Sequence, residues 1–299
     1  MAKDIAASVH QRLLKIARTE GQSFNELFQY FVIERFLYRL SKSQYVDHFV
    51  LKGALLFRVW MSQDTRATRD IDFLAFGDNT VEGLVKLVSD VISRDIEEDG
   101  LVFDPTSIEG QIIKEGADYE GVRILCDAFL DKAKSRLQLD IAFGDTVYPE
   151  PKKERYPTLL DHPAPVLRLY PPETVFAEKL EAMINLGALN SRMKDFYDIW
   201  RLMQHGFDGE ALYKAVSQTI ISRSTEVILF SELEKELNES PDKQLQWTAF
   251  LGKSQVSAPE SFDLLLQEIS VIASPVLKAV LNRSEFDMSW KPGGPWKEK

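Results

Sequence analysis

The sequence reads as an α+β chain, and three stretches of patterning carry that reading. Apolar residues recur at helical spacing over residues 5–42. Strand-like runs follow near 110–114, 121–129 and 137–143, and from Glu173 onward the pattern is helical, with loops near 238–243 and after Lys291. The stretch 145–172 holds Pro149, Pro151, Pro157, Pro163, Pro165, Pro171 and Pro172 and is read as a linker wrapping the surface. At 299 residues the chain exceeds a typical single domain. Boundaries are placed at 1–45 for N-terminal helices, 46–170 for a central core and 171–299 for a C-terminal helical domain.

Within residues 5–42, two helices break near Gly21, the second with Ser23 as N-cap and Glu26 as its capping-box partner. Arg35 and Arg39 lie four apart on one side. They read as a solvated or salt-bridged face, or as a basic surface near RNA or triphosphate. Residues 49–57 (FVLKGALLF) follow as a short apolar strand or turn running into a helix, with Gly53 at the junction. Asp70-Ile71-Asp72 then reads as a strand whose alternate residues share a side, the two carboxylates roughly 6.6–6.8 Å apart at the backbone. A helix is expected from Thr80 to Ile92, and Asp131-Lys132 as a turn between the last two strands. In 137–143 (LQLDIAF) the odd positions are apolar and Asp140 points the other way, towards solvent or a site. The tail 290–299 is expected to fray.

Composition bounds the class. With 44% hydrophobic and 27% charged residues the chain is ordinary globular material. No apolar run approaches the ~20 residues of a bilayer span, the N-terminus is charged, and no membrane partner is expected. The single Cys126 excludes an internal disulfide, fits a cytoplasmic protein, and sits in a strand-like run as buried filler rather than a nucleophile. A net charge of −10 argues against broad non-specific nucleic-acid binding, while leaving room for a local basic groove.

The chemistry concentrates around Asp70 and Asp72. Paired carboxylates on a rigid strand suit a hard divalent cation such as Mg²⁺, although the pattern also occurs on solvated loops and surface strands. Gly53 lets backbone approach a phosphate, and a helix start offers free N–H groups, although an ordinary tight turn would also use glycine. In the helical half, Phe176, Leu180, Met183 and Ile184 form an apolar stripe in which Lys179 is out of place, with Glu178 and Glu181 on the opposite side. Such a lysine either snorkels or serves a buried anion. On the next helix Phe196, Ile199, Trp200 and Met203 make the core stripe. Asp195 borders it, Asp198 is expected further out and paired to Lys194, and Ser191 caps the helix or orients Asp195.

Lys52-Gly53-Ala54 and Asp70-Ile71-Asp72 resemble the signature of the DNA polymerase β-like nucleotidyltransferase superfamily. With residues 34–41 (ERFLYRLS), 49–53, 66–72 (RATRDID), 173–180 (ETVFAEKL) and 190–198 (NSRMKDFYD), the chain resembles its AbiEii-type branch, nucleotidyltransferase toxins of type IV toxin–antitoxin and phage-abortive systems. The resemblance spans most of the chain up to about Leu202. It implies a polymerase β-like core with a mixed sheet, flanked by N-terminal helices and a C-terminal helical domain. It also implies transfer of an NMP from an NTP to an acceptor hydroxyl with release of pyrophosphate, at tRNA 3′ ends, and neutralisation by a cognate antitoxin protein. By the same resemblance Asp70, Asp72 and Asp140 hold Mg²⁺, and Lys52, Gly53, Arg66 and Thr68 cradle the NTP. Lys179 holds phosphate, and Asp195 acts as base or positions Lys179. The superfamily has Gly-Gly or Gly-Ser where this chain has Gly53-Ala54. Two further readings stay open: nucleotidylation of a small molecule or protein, and a catalytically dead nucleotide-binding module, which Ala54 motivates.

Overall fold

The computed structural model describes residues 2–61, 66–115 and 119–299. The chain divides into two compact units, one of residues 1–62, 67–145 and 152–169, the other of 63–66, 146–151 and 170–299. Residues 1–45, set apart in the sequence reading, fall in the same unit as the sheet.

The first unit begins with helices α1 (Ala2–Glu20) and α2 (Phe24–Ser41), broken at Gly21, whose φ of +68° ends α1. Ser23 occupies the N-cap position of α2 in extended backbone, but its side chain makes no capping bond among the described residues. Strand β1 (Phe49–Lys52), the single helical turn α3 (Phe57–Trp60), β2 (Asp70–Ala75) and α4 (Val81–Ile92) follow. Thr80 caps α4 by accepting from the Gly83 N–H at 3.2 Å. Strands β3 (Leu101–Glu115), β4 (Tyr119–Leu130) and β5 (Ala133–Phe143) are antiparallel neighbours and longer than the periodic runs suggested. Asp131, at φ +54°, makes the expected turn between β4 and β5.

The proline-rich stretch is more than a linker. It contains β6 (Lys152–Arg155) and β7 (Val166–Leu169), and β7 pairs parallel to β1. Proline spacing hid both strands, since each lies between prolines without containing one. The sheet is seven-stranded and mixed, in the order β3-β4-β5-β2-β1-β7-β6. Its two faces differ. Ile71, Phe73, Ile124, Leu139 and Ile141 are at most 1% exposed and share one face. That face is covered by α4, whose Val81 and Val85 lie over Gly110, and by α2, whose Phe36 meets Phe103 edge-on at 6.3 Å. The other face carries Asp70, Asp72 and Asp140. A strand's period of two makes this division.

Of the readings open for Arg35 and Arg39, the salt-bridged one holds, but the pair is buried and forms neither a solvated face nor a basic surface. Arg35 Nε and Arg39 Nη1 each donate to Asp99 Oδ2 at 2.8 Å. Burial works against the Asp99 charge, but the two guanidinium groups outweigh it and hold the carboxyl below its ordinary range. Next to them Glu34 accepts the Leu159 N–H at 2.7 Å, and desolvation pushes its pKa up to about 7. A raised carboxyl pKa means the native state binds a proton the unfolded chain has lost. Stability from this group is therefore complete below the unfolded pKa and is lost as pH rises through about 7. Glu34→Gln should flatten the fall in urea midpoint between roughly pH 5 and 8, which amounts to about 2–3 kcal/mol in the parent. Cys126 is buried filler as expected, its thiol pushed up to about 11 by burial.

The second unit is built from α5 (Pro172–Leu186), α6 (Met193–Leu202), α7 (Gly209–Ser222), α8 (Phe230–Glu239), α9 (Lys243–Ser254) and α10 (Phe262–Asn282), with short strands β8 (Phe207–Asp208), β9 (Met288–Trp290) and β10 (Trp296–Glu298). Among the described residues one helix, α10, is long and apolar enough to cross a bilayer, at a mean hydropathy of 1.7. Its Leu265, Leu266, Ile269, Ile272 and Val276 are fully buried within the unit. The tail, expected to fray, is tied down. Trp290 is buried and its Nε1–H donates to the Met203 carbonyl at 2.9 Å, Trp296 Nε1–H donates to the Ile272 carbonyl at 3.1 Å, and β8-β9-β10 form a small antiparallel sheet. Two tryptophans with satisfied N–H groups offset the fraying entropy that composition alone suggests.

Candidate active site

Asp70 and Asp72 leave the same face of β2, as period-two alternation requires. β2 runs parallel to β5 with Asp72 beside Asp140, and antiparallel to β1 with Asp72 beside Lys52. Asp70, Asp72 and Asp140 each offer a carboxylate oxygen, all within 4.8 Å of one another. Three hard oxygen donors at that separation fit a small divalent cation, and no soft or nitrogen ligand stands among them. The Thr68 hydroxyl and the Arg69 N–H both donate to Asp70 Oδ1, at 3.3 and 3.1 Å, which fixes that carboxylate at the strand entrance.

Gly53 makes the cluster possible. It sits at φ +77°, and a Cβ there would lie 1.9 Å from Asp72 Oδ2 and 2.7 Å from its Cγ. Only glycine fits, on both counts. The helix expected after Gly53 is reduced to a 3-10 turn, Ala54–Leu56, and the one turn of α3. The dipole contribution is correspondingly small, and what Gly53 contributes is space. Lys52 forms an ion pair with Asp145 at 2.7 Å.

Asp140 has company that the sequence did not announce. Arg123, its cross-strand partner on β4, donates from Nε to Oδ1 at 2.7 Å and from Nη2 to Oδ2 at 2.8 Å. Gln138 Nε2 approaches the same two oxygens at 3.3 and 3.0 Å. These contacts orient the Asp140 carboxylate and take up much of its acceptor capacity. Cation binding at this oxygen pair would therefore compete with Arg123.

A second cluster lies within the helical unit. Lys179 on α5 reaches Asp195 Oδ1 and Asp198 Oδ2 on α6, both at 2.8 Å. Arg66 makes a two-pronged contact with Asp198, Nε to Oδ1 at 2.9 Å and Nη2 to Oδ2 at 2.8 Å, and Arg192 pairs with Asp195 at 2.8 Å. Burial opposes the Lys179 charge, yet the two carboxylates overcome it and raise its pKa. Burial likewise opposes the Asp198 charge, and Lys179 and Arg66 overcome it and lower its pKa. Lys179 is thus no snorkelling residue. Asp198 is a correction: its side chain is 1% exposed and pairs with Lys179 and Arg66, not Lys194. Ser191 is another, because the N-cap of α6 is Arg192, whose N–H is held by Asn190 Oδ1 at 2.8 Å. Glu181 is a third; it is buried and accepts from Arg223 at 2.8 Å and from Thr225.

A strand-borne carboxylate trio set against an obligate glycine offers three hard oxygen donors of the kind a divalent cation takes. The chain belongs to the AbiEii family, nucleotidyl transferase toxins of type IV toxin–antitoxin systems, whose model matches residues 35–268. The protein is accordingly a member of a nucleotidyltransferase toxin family. Two solved structures also align. A candidate nucleotidyltransferase from H. pylori is 15% identical, with a TM-score of 0.45, over 88% of this chain and 99% of its own. JHP933 from Helicobacter pylori is 16% identical, with a TM-score of 0.45, over 87% and 95%. At that distance neither bears on mechanism. No curated protein matches the sequence significantly.

Proposed function

We propose that the protein transfers a nucleoside monophosphate from an NTP to an acceptor hydroxyl, releasing pyrophosphate, with Asp70, Asp72 and Asp140 as the Mg²⁺ ligands. The observation that carries this reading is the trio of carboxylate oxygens within 4.8 Å, beside a glycine that admits no side chain. Mg²⁺, when bound, neutralises charge developing on the phosphates and lowers the pKa of the attacking hydroxyl. Gly53 leaves room for Asp72 and for backbone to approach a phosphate. Thr68 holds Asp70 in place, and Lys52 supplies a cation on the same sheet face as Asp72. Lys179 and Arg66 are assigned to the triphosphate, as point charge and fork respectively. Asp195 and Asp198 keep both cations charged and aimed, which favours a positioning role for Asp195 over that of a base. Positioning and charge neutralisation supply most of such catalysis.

The acceptor we propose is RNA, at tRNA 3′ ends, with the reaction in the cytoplasm and a cognate antitoxin as the neutralising partner; family membership supports this reading. Purified protein with Mg²⁺, each labelled NTP and total tRNA should label RNA, and Asp72→Ala should lose the signal. Equal labelling by the variant would sink the assignment of the trio. Label appearing on a small molecule or protein but never on RNA would leave the chemistry and replace the acceptor.

A further inference from the structure

We infer that the cationic edge of the sheet, Lys153, Arg155 and Arg168 with the ring of Phe76, is a binding track for single-stranded RNA leading to the carboxylate trio. The inference rests on the RNA-acceptor reading above and adds the surface that would hold the acceptor. It comes from register. Lys52 shares its face with its β2 partner Asp72, and Val50, two residues earlier, shares that face too. Val50 pairs with Arg168 on β7, and Arg168 pairs with Lys153 on β6. Arg155 follows Lys153 at i+2. Asp140, Asp72 and Lys52 therefore form one row across three adjacent strands, and Arg168 and Lys153 continue it on the next two strands from a position two residues back along β1, all on the polar face. From the Asp72 strand to the Lys153 strand is roughly 14 Å, three strand spacings.

The charges at this edge are available. No carboxylate lies within ion-pair distance of Arg155, Arg168 or the neighbouring Lys152 among the described residues. Arg168 donates only to the Asp47 backbone carbonyl, at 3.3 Å, and Lys153 meets Asp47 in an exposed pair of the kind that is weak in water. This contrasts with Arg35 and Arg39, whose charges are committed to buried Asp99. In a chain of net charge −10, a run of cations without buried carboxylate partners on one sheet edge is a local exception. Phe76, directly after β2, supplies the second element. It is 48% exposed, its N–H extends the sheet by donating to the His48 carbonyl at 2.9 Å, and the Arg168 guanidinium lies 5.8 Å from its ring centroid. An exposed ring beside available cations accepts an unstacked base and its phosphates. A duplex hides its base faces, so the ligand this edge fits is single-stranded.

The test uses the full chain and a short fluorescent unstructured RNA, with affinity measured across roughly 50–200 mM salt. Lys153→Ala/Arg155→Ala/Arg168→Ala should reduce the slope of log K against log salt by about 2, since each phosphate neutralised on a single strand contributes ~0.7 to that slope. Phe76→Ala should weaken binding about tenfold with the slope unchanged. Lys86→Ala/Lys132→Ala, cations elsewhere on the same unit, should change neither. NTP binding by calorimetry should stay at the parent value in every variant. If half-buried Arg168 proves necessary for folding, the exposed pair Lys153→Ala/Arg155→Ala carries the test, with an expected slope change of about 1.4. A parent that binds and labels RNA, with variants matching it in affinity and slope, overturns the track and leaves the acceptor reading intact. A parent that transfers nucleotide but never binds RNA overturns both.

Discussion

Gly53→Ala should lower nucleotide transfer by at least ~100-fold, the loss that follows when a reacting group is displaced by about an ångström. Two independent penalties meet at this position. The backbone is at φ +77°, where an L side chain costs about 1–3 kcal/mol. The added methyl would also sit 1.9 Å from Asp72 Oδ2, 2.7 Å from Cγ and 2.9 Å from Cβ. Rotation of Asp72 about χ1 moves Oδ2 and Cγ out of the worst contacts and leaves a small overlap at Cβ. Either β1 moves away from β2 or Asp72 leaves the trio. Strands β1 and β2 are paired over four residues, and their Phe49 and Phe73 rings pack at 5.1 Å on the buried face. Displacing Asp72 is the smaller change, so the variant should retain its fold by circular dichroism while losing activity. A variant with parent-like transfer would mean Asp72 does not need the position it occupies.

Asp198→Ala should cost about 3–5 kcal/mol of stability, the usual consequence of removing one partner from a buried ion pair. Asp198 is the carboxylate on which Lys179 and Arg66 both converge, and the two cations are each only 14% exposed at the side chain. Its removal leaves Arg66 without its two-pronged acceptor. Asp195→Ala should cost less, since its other partner, Arg192, is 55% exposed and can turn to water. Because the folded Asp198 pKa is depressed, its stabilising share is present above the ordinary carboxylate range and is lost as pH falls through the folded value. Urea midpoints at neutral and acidic pH report both effects: the difference between parent and Asp198→Ala should shrink on acidification. Equal midpoints at neutral pH would show the cluster to be energetically idle.

Much of the candidate site was legible because strands write their faces in the sequence. Asp70, Asp72 and Asp140 each alternate with residues that turn out at most 1% exposed, and Lys179 was conspicuous for breaking an apolar stripe. What stayed hidden depended on register or on distant partners. Arg123 faces Asp140 only because β4 and β5 pair in one register, which no local pattern states. Asp198 looked solvent-facing because Lys194 at i−4 offered an ordinary surface pair, while its real partners lie elsewhere in the sequence. For Arg35 and Arg39 the salt-bridged reading was legible but the partner was not: Asp99, some sixty residues on, makes the pair a buried cluster. The α+β architecture followed from periodicity, but β6 and β7 did not, since four-residue strands between prolines carry too little pattern to stand out.

Mn²⁺ binding to the parent and to Gly53→Ala, followed by electron paramagnetic resonance at matched protein concentration, tests the central assignment most directly. A carboxylate trio that depends on the space beside Gly53 predicts saturable Mn²⁺ binding in the parent, weakened at least tenfold in a Gly53→Ala chain that remains folded. Undiminished binding in the variant, or none in the parent, would contradict it.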